Sequence, residues 1–320
     1  MKQFCSFLLV CLLLLSVDGR TDQQLSIATG GTGGVYFPIG GGLAELINAR
    51  IEGYSASAEV TGGSVENVGL VARGDADFAI SLADTAQQAH AGTGRFQAQP
   101  LPMLRGVAGL YGNLVQIVAI KGNGVESLAD MRGRRVSVGA PGSGTEVNAR
   151  AILDTAGPGY AAVQAQRLNF NESADALRNG DIDAGFWSVA VPTSSILNLA
   201  THRPVRLIGL TQPQIAAATA ADPAFHPATI PSGVYPGINE AVNTLGVANI
   251  LVVSEDLPEA LVYEVTKALF TQVEQLAAIH PAAGQISIEY TLESMPIPLH
   301  PGAIRYLQES GANISEPLRR

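Results

Sequence analysis

Cysteine and charged residues are scarce in this 320-residue chain. Both cysteines, Cys5 and Cys11, lie in the apolar stretch at the start, so the chain beyond it has none. This excludes disulfides, thiol catalysis and zinc–thiolate sites there. Charged residues make up only 15% against 47% hydrophobic residues, a composition typical of a compact α/β protein and unlike that of a disordered chain.

Basic residues are the scarcer of the charged ones. The chain has 19 Lys and Arg against 28 Asp and Glu, which gives a net charge of −9. A nucleic-acid partner needs a basic surface, so none is expected. A small anion needs only a few local donors, and the composition does not exclude it.

Motifs of known catalytic or cofactor chemistry are missing. The sequence contains no H-E-x-x-H, G-x-S-x-G or P-loop pattern, and the dinucleotide fingerprint fails because Tyr36 stands where its last glycine belongs. Three of the five histidines directly precede proline, which favours extended loops over a helical metal-binding face. We therefore expect no catalytic residue, no metal and no cofactor.

The first 19 residues have the pattern of a signal peptide. Met1 and Lys2 give a positive start, Phe4 to Val17 is almost wholly apolar, and small residues precede a cleavage point after Gly19. The apolar run is too short to span a bilayer core of about 30 Å at about 1.5 Å per residue. The pattern predicts export, and the mature chain should be soluble.

Short apolar runs alternate with helical patterns along the chain, as in βαβ units with a mostly parallel sheet. The predicted elements include strands at Phe78 to Ser81, after Gly74, and at Arg167 to Phe170, and a helix from Asp256 through about Ile279. Glycine, hydroxyl and acidic signals then recur in the same order: Thr145, Ser173 and Asp181 follow Thr32, Ser64 and Asp75 by 113, 109 and 106 residues. The recurrence predicts two similarly wound lobes, with Leu114 to Ile120 and Val247 to Val253 crossing between them. The expected boundaries are residues 20–121 and 231–320 for lobe I and 122–230 for lobe II.

Seven glycines fall within residues 30 to 42: four lie between a predicted strand and a predicted helix that begins at Tyr36, and three lie inside that helix. Glycine lets a ligand approach bare backbone, and a helix start offers unpaired N–H groups to an anion. The candidates here are Thr32, Gly33, Gly34 and Tyr36. In the second lobe the loop 139–148 repeats the arrangement with Ser143, Gly144, Thr145 and Asn148. The alternative is that these glycines serve packing alone.

Four further residues are candidates, each with a structural alternative. Ser64 and Asn67 follow a polar Thr-Gly-Gly turn, where Ser64 could simply cap a helix, as could Ser173. Asp84 follows a predicted parallel strand and could bind an ammonium group or cap its own helix. Trp187, the only tryptophan, could stack on a ligand or fill the core.

Several segments together resemble the TAXI family, the extracytoplasmic solute receptors of one branch of TRAP transporters. The segments are TGGTGGVYFPIGG, TGGSVENV, RVSVGAPGSGTEVNARAIL, IPSGVYPG with the following LVVSEDLPEALVYEVTKALF, and PIPLHPGA. The resemblance implies a periplasmic-binding-protein-like α/β fold of two Rossmann-like lobes, joined by a hinge with a ligand cleft between them. It also implies binding roles for Thr32, Gly33, Gly34, Tyr36, Ser64, Asn67, Gly144, Thr145 and Asn148.

The function implied is that of a monomeric periplasmic receptor for a glutamate-like amino acid or a dicarboxylate, which it delivers to a TRAP membrane permease. Phe186 and Trp187 depart from the family's small residues at that point, which leaves the ligand open. A receptor for an ABC importer is one alternative, and an exported α/β enzyme is another.

Overall fold

Ten strands form one continuous sheet in the computed structural model, which describes residues 22–320. The predicted signal peptide lies outside the described residues. The strands are β1 Gln23–Ala28, β2 Tyr54–Glu59, β3 Phe78–Leu82, β4 Leu104–Ile120, β5 Arg135–Ser137, β6 Gln164–Gln166, β7 Ala184–Val189, β8 Val205–Leu207, β9 His226–Ile230 and β10 Val242–Ser254.

Eleven α-helices of the described residues cover this sheet. They are α1 Tyr36–Arg50, α2 Ser64–Arg73, α3 Ala83–Ala91, α4 Gly144–Ala156, α5 Phe170–Asn179, α6 Ser194–His202, α7 Gln212–Ala221, α8 Glu259–Thr271, α9 Val273–Ile279, α10 Ile288–Ser294 and α11 Pro301–Glu309. Within residues 22–320, none of the helices is long and apolar enough to cross a membrane.

The two halves of the sheet have equivalent topology. The strand order is β2-β1-β3-β10 in the first half and β6-β5-β7-β4 in the second, and in each half three parallel strands meet one antiparallel strand. We call the first half with α1–α3 and α8–α11 the first lobe, and the second half with α4–α7 the second lobe. The predicted fold of two similarly wound α/β lobes is confirmed.

The long strands β4 and β10 carry the sheet from one lobe to the other. They pair with each other from Leu104 with Ser254 to Leu114 with Gly246, with two irregularities along the way. Beyond that stretch β4 continues beside β7, and the start of β10 pairs with β9. The crossing strands are therefore longer than the sequence predicted, because each belongs to both halves of the sheet.

Three of the seven clustered glycines lie inside α1, as the predicted helix start at Tyr36 requires. A methyl group added to Gly40 would come within 2.3 Å of Cγ2 of Thr29 on the neighbouring strand end, and one on Gly42 within 2.4 Å of Cδ1 of Ile279. Gly41 has nothing within 4 Å. Gly40 and Gly42 thus allow α1 to pack closely on the sheet and on α9.

The neighbouring glycines Gly40 and Gly41 give a matched test of this packing. Gly41→Ala should raise the free energy of unfolding by up to about 1 kcal/mol, because alanine is the better helix former and space is free. Gly40→Ala should lower it by about 1 to 3 kcal/mol, because its methyl group overpacks against fully buried Thr29. Urea unfolding measures both, and equal effects would contradict the packing role of Gly40.

Two predicted elements were wrong. Residues 167–170 do not form a strand: β6 ends at Gln166, and Phe170 is the first residue of α5. The reason is a capping box, in which Asn169 accepts from the Glu172 amide and the Glu172 side chain accepts from the Asn169 amide. The helix predicted through Ile279 is broken at Gln272, whose backbone (φ −123°, ψ 28°) is not helical.

Candidate functional site

A cavity of about 60 Å³ lies between the two lobes, at the carboxyl ends of their parallel strands. Open α/β sheets bind their ligands at this edge. Both lobes contribute to the walls. The lining residues are Gly30, Gly31, Gly34, Val35, Tyr36, Thr61, Gly62, Gly63, Ser64 and Leu82 of the first lobe and Ala140, Ser143, Gly144, Thr145, Asn169, Phe170, Ser188 and Val189 of the second.

Four helices, α1, α2, α4 and α5, begin at this cavity, two from each lobe. Each helix start carries unpaired N–H groups and a partial charge of about +0.5. Within the described part of the chain, no hydrogen-bond partner is found for the backbone amides of Val35, Tyr36, Ser64, Gly144 and Thr145. The cavity therefore has donors and a positive potential without any basic side chain.

The side chains of the lining are neutral and largely apolar. Among the described residues, those that line the cavity include no Asp, Glu, Lys, Arg or His. Val35, Leu82, Phe170 and Val189 give it hydrophobic surface. A ligand that fits this lining has an apolar body and a polar end that meets amides and hydroxyls.

Among the described residues of the lining, Ser188 has the buried side-chain hydroxyl that lacks a hydrogen-bond partner. Ser188 is 6% exposed, and its Oγ makes no hydrogen bond to any described residue. Burying a hydroxyl without a partner is unfavourable by about 1 to 3 kcal/mol. Ser188 lines the cavity, so this unpaired hydroxyl lies next to the space that a ligand would occupy.

Tyr36 connects the cavity to the crossing strand β10. Its hydroxyl donates to Oδ1 of Asn249 at 2.6 Å and lies 3.3 Å from Oγ of Ser64. Desolvation raises the pKa of the Tyr36 phenol, so it stays protonated at neutral pH. The ring therefore has a fixed position at the wall of the cavity.

The lobes are in direct contact around the cavity. Oγ1 of Thr193 and Oγ of Ser194, both in the second lobe, donate to the Gly33 carbonyl at 3.1 and 3.3 Å. The Gly142 carbonyl accepts from the amides of Val65 and Glu66, both at 3.0 Å. The first turn of α2 is thus capped from the opposite lobe, and the conformation is closed.

Glycines make this closeness possible. A Cβ on Gly62 would lie 2.2 Å from the Pro141 carbonyl oxygen, and one on Gly33 would lie 2.3 Å from Oδ1 of Asn171. A Cβ on Gly144 would lie 2.5 Å from Cδ1 of Leu82. All three are contacts between lobes. The predicted alternative, that the glycines serve packing, therefore holds for these three positions. What they pack together is the surface of one lobe against the surface of the other.

Asp84 and Asn148 also meet across the lobes, but outside the cavity lining. Nδ2 of Asn148 donates to Oδ2 of Asp84 at 2.6 Å, and Oδ1 of Asp84 accepts from the Thr85 amide at 2.6 Å. Burial, followed by the influence of Asp222, raises the pKa of the Asp84 carboxyl to about 7. The pair forms a buried hydrogen bond between the lobes, and the charge of the Asp84 carboxyl changes near neutral pH.

Of the predicted site residues, six line the cavity: Gly34, Tyr36, Ser64, Ser143, Gly144 and Thr145. Thr32 is exposed, and Gly33 is covered by the second lobe. Asn67 is fully buried, where its Nδ2 donates to three backbone carbonyls of its own lobe, so its position is structural. Asp84 and Asn148 bind each other as described above.

Trp187 does not reach the cavity either. Its ring is fully buried, its Nε1 donates to Oγ of Ser195 at 3.2 Å, and it stacks on Phe170 with 6.1 Å between ring centroids. Phe170, predicted to end a strand, lines the cavity together with the ring of Tyr36. The capping-box spacing of Asn169 and Glu172 was the signal that could have located it at a helix start.

Neither Ser64 nor Ser173 caps a helix, although capping was the predicted alternative for both. Ser64 is the first residue of α2, after Gly63 with φ 116°, and its Oγ accepts from the Leu82 amide at 3.0 Å. Ser173 lies one turn inside α5 and donates to the Asn169 carbonyl at 2.7 Å. Ser143 does cap α4, where its Oγ accepts from the Glu146 amide at 3.2 Å.

Comparison with known proteins identifies the family of this chain. The pattern of the NMT1-like family matches residues 27–311. The chain belongs to the NMT1-like family. A protein from Bordetella bronchiseptica RB50 is similar in structure, with a TM-score of 0.57 and 18% identity over 90% of this chain and 98% of that chain.

Two further solved structures were matched over most of this chain. One is a proposed L-cystine ABC transporter protein from Listeria monocytogenes, with a TM-score of 0.51 and 14% identity over 85% of this chain and 99% of that chain. The other is the periplasmic aliphatic sulphonate binding protein SsuA from Escherichia coli, with a TM-score of 0.49 and 16% identity over 90% of this chain and 79% of that one. The family and the architecture place this chain among proteins with a periplasmic-type solute-binding fold.

Proposed function

We propose that this NMT1-like protein is an exported receptor that binds a small organic anion between its lobes and delivers it to a membrane transporter. One observation carries the proposal: four helix starts, two from each lobe, surround a cavity whose lining has no charged side chain among the described residues. Backbone amides at helix starts bind anions without lysine or arginine. The export signal predicted in residues 1–19 would direct the protein to the periplasm.

Closure of the lobes is the second part of the proposal. The moving bodies would be residues 20–121 with 231–320 and residues 122–230, because β4 and β10 are the strands of the described residues that run from one lobe to the other. A ligand shifts the equilibrium toward the closed form only through contacts that are absent in the open form. Amides from opposite lobes meet this condition, since a single ligand reaches both only after closure.

A thermal-shift screen of organic acids tests the anion-receptor proposal. A ligand at a hundredfold its dissociation constant should add about 2.7 kcal/mol of stability. For a protein of this size the melting temperature should rise by several degrees. The primary amide of the same acid is the matched control, because it keeps the shape and loses the charge. An amide that stabilises the protein as much as its acid would contradict an anion site.

The transporter partner is proposed from two sources. The sequence resemblance to TAXI receptors favours a TRAP permease driven by an ion gradient, whereas the Listeria monocytogenes neighbour is named for an ABC transporter. Reconstitution of the receptor with each candidate permease in vesicles separates the two. Uptake that needs a sodium gradient and no ATP supports the TRAP assignment, and uptake that needs ATP supports an ABC importer. Turnover of the bound solute would instead indicate an enzyme.

A further inference from the structure

A ligand with an ammonium group would need an acceptor for that positive charge in the cavity. An α-ammonium group brings one charge and three N–H donors. Burial of such a charge without an acceptor costs several kcal/mol even after relaxation. Within the described residues, however, the lining contains no carboxylate, and the four helix starts add positive potential.

Five carboxylates lie within two residues of the lining segments in the sequence, and each of them already has a hydrogen-bond partner. Glu66 is exposed and accepts from the Gly62 amide at 2.7 Å. Glu146 accepts from the Tyr160 hydroxyl at 2.9 Å and from Nε of Arg167 at 2.8 Å. Asp84 is held by Thr85 and Asn148. Glu59 accepts from the Ser57 hydroxyl at 2.9 Å, and Glu172 accepts from the Asn169 amide at 2.8 Å. None of the five lines the cavity as a free partner for an ammonium group.

The lining also indicates which chemical groups the ligand contains. Amides of four helix starts favour a carboxylate, and Val35, Leu82, Phe170 and Val189 favour an apolar body. The buried hydroxyl of Ser188 is left for one neutral polar group, because a hydroxyl both donates and accepts.

We propose that the ligand of this cavity is a small carboxylate without an ammonium group, so that a 2-oxo acid is bound in preference to the amino acid of the same carbon skeleton. The proposal rests on the anion-receptor function proposed above and narrows it. It selects against the glutamate-like amino acids among the ligands that the family resemblance implied.

Calorimetric titration with matched pairs tests the proposal on the mature protein. The pairs are pyruvate with alanine, 2-oxobutyrate with 2-aminobutyrate, and 2-oxoglutarate with glutamate, accompanied by a series of short mono- and dicarboxylates. We expect the best-bound acid to bind at least tenfold more tightly than its amino-acid counterpart. An amino acid that binds within tenfold of that acid, or more tightly, overturns the proposal but leaves the anion receptor intact. If neither acids nor amino acids bind, the proposed function itself fails, and this inference fails with it.

Variants of Ser188 give a second readout. Ser188→Ala should weaken the best-bound acid about tenfold, because a partner is lost from a desolvated group. Ser188→Asp places a carboxylate in the cavity and should reverse the preference in favour of the amino acid, a result that a packing defect would not produce. Unchanged affinity in Ser188→Ala together with an unchanged preference in a folded Ser188→Asp would contradict the assignment of Ser188. If neither variant folds, the ratio of the wild-type affinities for the acid and for its amino-acid counterpart decides whether the proposal holds.

Discussion

Gly62→Ala is expected to weaken ligand binding at least a hundredfold, although Gly62 has an ordinary backbone conformation that alanine also adopts. The added methyl group would lie 2.2 Å from the Pro141 carbonyl oxygen of the opposite lobe, where two backbone segments face each other. Backbone atoms cannot move aside as a flexible side chain can. The lobes of the variant would have to stay further apart, and contacts made only in the closed form would be lost.

Gly41→Ala is the matched control for this experiment, because it is the same substitution in the same lobe with nothing within 4 Å of the new methyl group. Isothermal titration of both variants with the best ligand from the screen gives the affinities. Small-angle scattering with saturating ligand should show a larger radius of gyration for Gly62→Ala than for the control. Wild-type affinity in Gly62→Ala would mean that the lobes need not approach this closely for binding.

Affinity is also expected to fall as the pH rises from about 4 to about 7. The closed form raises the pKa of the Asp84 carboxyl from 3.8 to about 7, and burial is the main cause, with Asp222 second. In an open form that exposes Asp84 to water, this pKa should return toward its ordinary value. Closure therefore binds a proton between these two pH values and is favoured at the lower one. The effect should approach tenfold per pH unit within this window and vanish above it.

Asp84→Asn isolates this effect. The amide has the shape of the protonated carboxyl, carries no charge and can donate to Oδ1 of Asn148, which has no partner within the described part of the chain. We expect the variant to bind with the low-pH affinity of the wild type at every pH tested. The titrations need a ligand that is ionised throughout the range. A wild-type affinity that is flat between pH 5 and 7, or a variant that keeps the slope, would contradict the role of Asp84.

Several features of the fold followed from local sequence alone. The helix start at Tyr36, the helix start at Ser64 and the strand after Gly74 were predicted because glycine, polar and apolar residues alternate there in patterns that act over a few residues. The recurrence in the second half predicted the second lobe. The start of helix α5 was predicted wrongly, because the residues up to Phe170 fit a strand pattern and Asn169 was not recognised as the helix cap.

The candidate site was harder to predict, because its geometry depends on contacts between distant segments. Asn67 and Tyr36 are both polar residues of helix first turns, but one is fully buried under backbone carbonyls while the other borders the cavity. Nothing local distinguishes them. Similarly, Trp187 and Ser188 are neighbours on β7, and only the packing of the whole structure places Ser188 at the cavity and Trp187 in the core.

The sequence by itself determined the class of fold, the two lobes and the glycine-rich helix starts, because these depend on backbone preferences and apolar periodicity within short segments. The tertiary structure alone decided what the glycines approach, which hydroxyl is left without a partner and which carboxylates are already bound. These properties arise where residues far apart in the sequence, such as Gly62 and Pro141 or Asp84 and Asn148, come within a few ångströms, and no local pattern specifies that distance.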